Sequence, residues 1–269
     1  MRELKDRIYT FCPNRHEALW GAEEWLVSVH PAGPSIVASG EAKGKRLCDI
    51  VSDVPLLIKV IDAKTRLSVQ VHPNEQTKLV TGGDAKTEMW CALDDGFVYA
   101  GLKPGTTAEM VENAVRDGSF EELMVRHDVK AGDVLFIPGG LVHAIGDNTR
   151  LYEVQQSSDT TFRLYDWGRV GADGKPRELH IEKGLQAIDY TLPAPQIVGG
   201  VECPFFRFRQ IHLDRAVDVE GDSFTILYAF KGAFTLDGVE YPEGASVFVA
   251  AGGDFTLRGS GSTVFVVKA

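Results

Sequence analysis

Ser68-Val69-Gln70-Val71-His72-Pro73 alternates polar and apolar side chains without a break. Successive side chains on a strand point to opposite faces, so Ser68, Gln70 and His72 share one face and Val69 and Val71 the other. If the valines face a core, His72 is left in solvent; if the polar face turns inward, an imidazole and an amide enter an interior. Three further features favour the second reading. Glu88 sits among apolar residues in Lys86-Thr87-Glu88-Met89-Trp90, His143 follows a Pro-Gly-Gly turn, and Glu153 and Gln155 share a face of the stretch Leu151 to Gln155. Gln70, His72, Glu88 and His143 offer two imidazoles, a carboxylate and an amide oxygen. That donor set suits Zn2+, and Fe2+, Mn2+ or Co2+ also accept it. The spacing alone is weak: there is no His-Glu-x-x-His and no Cys pair.

The elements that must position these residues are mostly strands. Short apolar or alternating runs recur at Leu56 to Ile61, Leu67 to His72, Phe97 to Leu102, Asp133 to Ile137, Leu151 to Gln155 and Thr161 to Tyr165, punctuated by Gly, Pro and Asp. Capping-box spacings at Thr106 with Glu109 and Ser119 with Glu122 predict a helical segment over about Thr107 to Val125. His180 to Ala187 reads as a second short helix. Many short strands and little helix predict a mainly β fold of sandwich or barrel type. Pro193-Ala194-Pro195 and Gly199-Gly200 mark a crossing, after which the chain is again nearly all strand. There Pro242 to Gly252 repeats the pattern of Lys130 to Gly140: a Gly turn, a buried strand and a small-residue turn. At this offset His143 matches Phe255 and Glu153 matches Phe265. Two copies of one unit are therefore expected: residues 1–195 carrying the chemistry, and residues 196–269 a degenerate β domain without a metal site.

Composition bounds the function. The chain has 269 residues, 44% of them hydrophobic, which is enough for a substantial core. A net charge of −10 excludes general nucleic-acid binding, which needs a basic footprint, but leaves room for a locally basic pocket. Four dispersed cysteines, Cys12, Cys48, Cys91 and Cys203, make no disulfide framework. A charged N-terminal stretch without an apolar core, and no run long enough for a membrane span, lead to the expectation of a cytoplasmic protein.

In order along the chain, Trp20-Gly21-Ala22-Glu23-Glu24-Trp25-Leu26-Val27-Ser28, Leu67-Ser68-Val69-Gln70-Val71-His72-Pro73, Lys86-Thr87-Glu88-Met89-Trp90, Pro138-Gly139-Gly140-Leu141-Val142-His143-Ala144-Ile145 and Glu153-Val154-Gln155-Gln156-Ser157-Ser158-Asp159-Thr160-Thr161-Phe162-Arg163 form a joint signature. With it the sequence resembles the type I mannose-6-phosphate isomerases (phosphomannose isomerases) of the cupin superfamily, in their short bacterial form. The resemblance implies two cupin-type, jelly-roll β-barrels with a few short helices. It also implies one zinc ion per chain on Gln70, His72, Glu88 and His143, and a phosphorylated hexose as substrate. It matches the family's catalytic arginine to Arg163, its other polar active-site positions to Lys86, Glu153 and Asp159, and its phosphate contacts to Ser68 and Lys59.

The implied reaction interconverts mannose 6-phosphate and fructose 6-phosphate through a cis-enediol. Zinc and Arg163 suit the charge that builds on the carbonyl oxygen. Glu153 is the first choice for the base that moves the carbon proton and Asp159 the second, while Lys86 either shuttles the hydroxyl proton or pairs with a carboxylate. Two other classes compete: a non-catalytic sugar-binding or regulatory cupin, and an iron-dependent cupin oxygenase. The first predicts a degraded site, and the second gives no reason for Arg163 or Lys59.

Overall fold

β-Branched and aromatic residues in runs of three to eight, closed by Gly, Pro and Asp, make short antiparallel strands here. The computed structural model describes residues 3–171 and 174–269. Contacts divide the chain into two units: Arg15–Glu24 with Val60–Val198, and Met1–Asn14 with Trp25–Lys59 and Gly199–Ala269. The last change of unit along the chain falls between Val198 and Gly199. The segments Met1–Asn14 and Trp25–Lys59, expected with the first domain, fall with the second unit.

The unit built around Val60–Val198 carries a five-stranded sheet in the order Phe162–Tyr165, Val69–Val71, His143–Ile145, Gly96–Leu102, Met124–Val129. Strands Thr149–Gln156, Glu88–Ala92 and Val134–Ile137 are neighbours in a second sheet. Alternation sorts their side chains. Trp90, Ala92, Val98, Ala100, Leu135, Ile137, Ile145 and Leu151 meet in one apolar cluster between the sheets, the barrel interior. Val69, Val71, Tyr99, Val142, Ala144, Phe162 and Leu164 form a second cluster on the opposite face of the five-stranded sheet, with Val111, Ala114 and Ala187 from the helices. Ser68, Gln70 and His72 alternate with Val69 and Val71, so the polar face is the inward one.

The helix differs from its predicted span. It runs over Ala108–Asp117 and stops at Gly118, whose φ of 79° is left-handed. Its cap is Thr107, whose hydroxyl accepts from the Met110 N–H; the Thr106 hydroxyl instead donates to the Lys103 carbonyl. The second capping-box spacing opens only a short turn, Phe120–Leu123. The short helix near His180 spans Ile181–Ala187. Lys78–Thr81 forms a further single turn.

In the unit ending at Ala269, a six-stranded and a four-stranded sheet enclose Leu227, Ala229, Phe234, Leu236, Val247, Val249, Phe255, Leu257, Val264 and Val266. Val247 and Val249 repeat the inward positions of Leu135 and Ile137, and Phe255 repeats that of His143. The pairing of Glu153 with Phe265 does not hold. Strand Phe255–Arg258 is one residue longer than His143–Ile145, and a one-residue slip exchanges the faces of everything that follows. Val264 and Val266 therefore point inward. Phe265 lies on the other face, against Phe208, Tyr228 and Phe230.

Candidate metal centre

Three strand ends converge at one end of the barrel interior. His143 is the register partner of Gln70, and Gln70 is in turn the partner of Arg163, so these three share the inward face. On the other sheet Gln155 pairs with Glu88 and Glu153 with Trp90. The Pro138-Gly139-Gly140 turn lets His143 start its strand against His72-Pro73. A Cβ on Gly139 would lie 2.7 Å from the Pro73 carbonyl oxygen, and Gly140 holds φ +95°. The Gly140 N–H donates to the His72 carbonyl at 2.8 Å, closing the contact.

His72, Glu88 and His143 are essentially inaccessible, and one ligand atom from each lies within 4.8 Å of the others. Glu88 Oε2 is 3.4 Å from His72 Nε2 and Glu88 Oε1 is 3.5 Å from His143 Nε2. Each imidazole uses its other nitrogen on the backbone. His72 Nδ1 donates to the Thr160 carbonyl at 2.8 Å and His143 Nδ1 donates to the Leu141 carbonyl at 2.8 Å. Those bonds fix the tautomers and turn both Nε2 lone pairs toward Glu88. Glu88 Oε1 and His143 Nε2 have no hydrogen-bond partner although buried. Orphaned acceptors on an imidazole and a carboxylate, beside a second imidazole, fit a divalent cation.

Lys86 completes the cluster. Its ammonium is 3.0 Å from Glu88 Oε2 and 3.2 Å from His72 Nε2, and the residue is only 5% exposed. The titration behaviour follows. Burial, reinforced by the Lys86 charge, pushes His72 down to about 3, and burial likewise lowers His143. Burial would raise Glu88, but the charge of Lys86 outweighs it and holds the carboxyl well below its ordinary value. Both imidazoles stay neutral and the carboxylate ionised, the protonation states that metal ligation requires.

The remaining predicted residues take distinct places. Gln70 is half-buried beside His143 on the ladder. Glu153 is buried two register pairs along the ladder from Glu88, and its Oε2 accepts from Trp90 Nε1–H at 2.9 Å. The Trp90 ring stands edge-on to His143, with centroids 5.3 Å apart. Asp159 is exposed on the loop, one residue before the Thr160 carbonyl that orients His72. Arg163 is half-buried; one NH donates to the Glu178 carbonyl at 2.8 Å, and Nε has no partner. Burial and then the nearby Arg177 lower its proton affinity. Ser68 is buried on the inward face. Lys59 is the last residue of the Trp25–Lys59 segment, buried, with its ammonium 5.5 Å from the Trp25 ring centroid.

Three features escape a reading of the sequence alone. Trp90 as a donor to Glu153 depends on cross-strand register. Asp166 is clasped by Arg169 and by Arg177, whose Nε donates at 2.7 Å; the Asp-x-x-Arg spacing was the one available signal. His180 braces Arg163: its Nδ1 accepts the Arg163 N–H at 3.2 Å and its own N–H donates to the Arg163 carbonyl at 2.7 Å.

Among known proteins, the family model for the type I phosphomannose isomerase catalytic domain matches residues 3–89. The mannose-6-phosphate isomerase ManA of Bacillus subtilis is 32% identical over 88% of this chain and 86% of its own length. The crystal structure of the mannose 6-phosphate isomerase from Bacillus subtilis superposes with a TM-score of 0.87 at 26% identity, covering 98% of this chain and 100% of that one. A zinc-bound mannose 6-phosphate isomerase structure shares the fold, with a TM-score of 0.75 at 15% identity over 97% of this chain and 99% of its own.

Proposed function

The chain belongs to the type I phosphomannose isomerase family, and from that premise we propose that it is a zinc-dependent isomerase interconverting mannose 6-phosphate and fructose 6-phosphate. The observation that carries the reading is the buried His72–Glu88–His143 cluster, whose three ligand atoms lie within 4.8 Å. His72, Glu88 and His143 would hold the zinc, with Gln70 beside them. Bound zinc supplies a Lewis acid for the sugar's carbonyl oxygen.

The protein's own groups do the rest. In the aldose-to-ketose direction, the Glu153 carboxylate removes the proton at C2 and returns it at C1, while a second proton passes between the two oxygens. The Trp90 N–H bond keeps that carboxylate in one orientation. Lys86, within reach of Glu88 and His72, shuttles the oxygen-bound proton. Arg163 directs its guanidinium at the negative charge of the enediolate, on the face it shares with Gln70 and His143. Asp159 is the alternative base, and the phosphate role of Ser68 and Lys59 rests on the sequence resemblance alone. No helix of the described residues is long and apolar enough to cross a membrane.

Metal analysis together with a coupled assay on mannose 6-phosphate tests the proposal. One zinc per chain and turnover are expected, and His143→Ala should lose both. Stoichiometric iron without turnover would favour the oxygenase reading, and sugar-phosphate binding without turnover the regulatory one. Metal retained by His143→Ala would refute the ligand assignment.

A further inference from the structure

We propose that the side-chain carbonyl of Gln155 accepts a hydrogen bond from a hydroxyl of the bound sugar, making Gln155 a substrate-positioning residue of the isomerase site; the inference rests on the isomerase reading above. Gln155 is completely buried and is the cross-strand partner of Glu88. Paired residues on antiparallel strands send their side chains to the same face. Gln155 therefore leaves the ladder on the same face as Glu88, next to it.

The amide is not free to turn. Nε2 donates one hydrogen to the Gln156 carbonyl at 2.8 Å and the other to the Ser158 carbonyl at 2.7 Å. Its Oε1 is therefore fixed, and it has no hydrogen-bond partner. Most donors of the cluster are already committed. His72 and His143 give their Nδ1 hydrogens to backbone carbonyls, Trp90 gives its N–H to Glu153, and the Lys86 ammonium lies on Glu88 and His72. A buried acceptor held rigid without a protein donor is complementary to an O–H that arrives with the ligand. A polyhydroxylated substrate supplies such donors, and a site built to bond one of them rejects the analogue that lacks it.

The test is calorimetric binding of unreactive hexitol 6-phosphate, and of its singly deoxygenated forms, to zinc-loaded protein. The wild type should bind the parent compound, and one deoxy form about 5- to 20-fold more weakly. In Gln155→Met the parent should fall to the affinity of that deoxy form, and the penalty for that one hydroxyl should vanish while the others persist. Should the Met variant fail to fold, Gln155→Leu, which also removes the acceptor, carries the same test, and a penalty that persists there overturns the proposal. A penalty that persists in Gln155→Met, or equal weakening of every ligand, overturns it too. Zinc content below one in both variants would make Oε1 a metal ligand instead, which also overturns it. Failure of the wild type to bind the parent compound would count against the isomerase reading itself.

Discussion

Replacing Lys86 with Met should tighten zinc binding while abolishing turnover. The ammonium lies 3.0 Å from Glu88 Oε2 and 3.2 Å from His72 Nε2, both ligand atoms of the proposed centre. An ion on those atoms and the ammonium are near neighbours. A dication and a unit charge about 4–5 Å apart, at an effective dielectric of about 20, repel by roughly 7 kcal/mol before either relaxes. The flexible lysine stem relieves most of this by swinging away, leaving about 1.5–3 kcal/mol, or ~10- to 100-fold in affinity. The metal-free protein responds with the opposite sign. Glu88 is fully buried and loses its counter-charge, which costs about 3–5 kcal/mol. At about 2–4 °C per kcal/mol for a chain of this size, the metal-free melting temperature should fall by roughly 6–20 °C, and the zinc-loaded one by much less. Competition with a chromophoric chelator measures the affinity, and calorimetry with and without zinc measures the rest. Unchanged or weakened zinc binding, with an unchanged metal-free melting temperature, would refute the reasoning.

Arg163→Ala should lower kcat by ~10²-fold or more with KM changed much less, because its proposed partner is charge that exists only in the transition state; a raised KM with kcat intact would make it a substrate anchor. Asp166 is buried, which raises it, but hydrogen bonds from Arg177 and Arg169 win and hold it below its ordinary 3.8. Its folded value lies below its unfolded one, so its contribution is complete above pH ~4 and is lost as pH falls through the folded value. Asp166→Asn should therefore cost about 1–3 kcal/mol at pH 7 and progressively less in acid, read from urea midpoints across pH. Phe265→Leu removes a ring stacked 4.6 Å from Phe230 and set edge-on 5.2 Å from Phe208. It should lower stability by about 1–2 kcal/mol, or roughly 2–8 °C, and leave kcat untouched. Lost kcat at unchanged melting temperature would mean that this unit takes part in the chemistry.

What could be read from residue order was whatever depends on local periodicity and on a joint signature. Strand alternation placed Ser68, Gln70 and His72 on one face, and the ordered motifs pointed to the family. The mainly β architecture and the clustering of His72, Glu88 and His143 follow from the same signals. Local signals failed where a single residue resets the phase. Gly118 ends the helix that the capping-box spacings extended to Val125, because its left-handed backbone satisfies the helix carbonyls and turns the chain. One additional residue in Phe255–Arg258 sends Phe265 to the face opposite that of Glu153.

Other features were settled only by tertiary structure, because they depend on which distant strands become neighbours. The bond from Trp90 to Glu153 and the pairing of Gln155 with Glu88 come from a ladder whose partners lie more than sixty residues apart. The tautomers of His72 and His143 are set by the carbonyls of Thr160 and Leu141, backbone atoms that no composition or motif distinguishes. A period of two tells each strand which side chains share a face. It says nothing of which other strand lies across the barrel, so the family of donors was legible in the chain while their contacts were decided by long-range pairing.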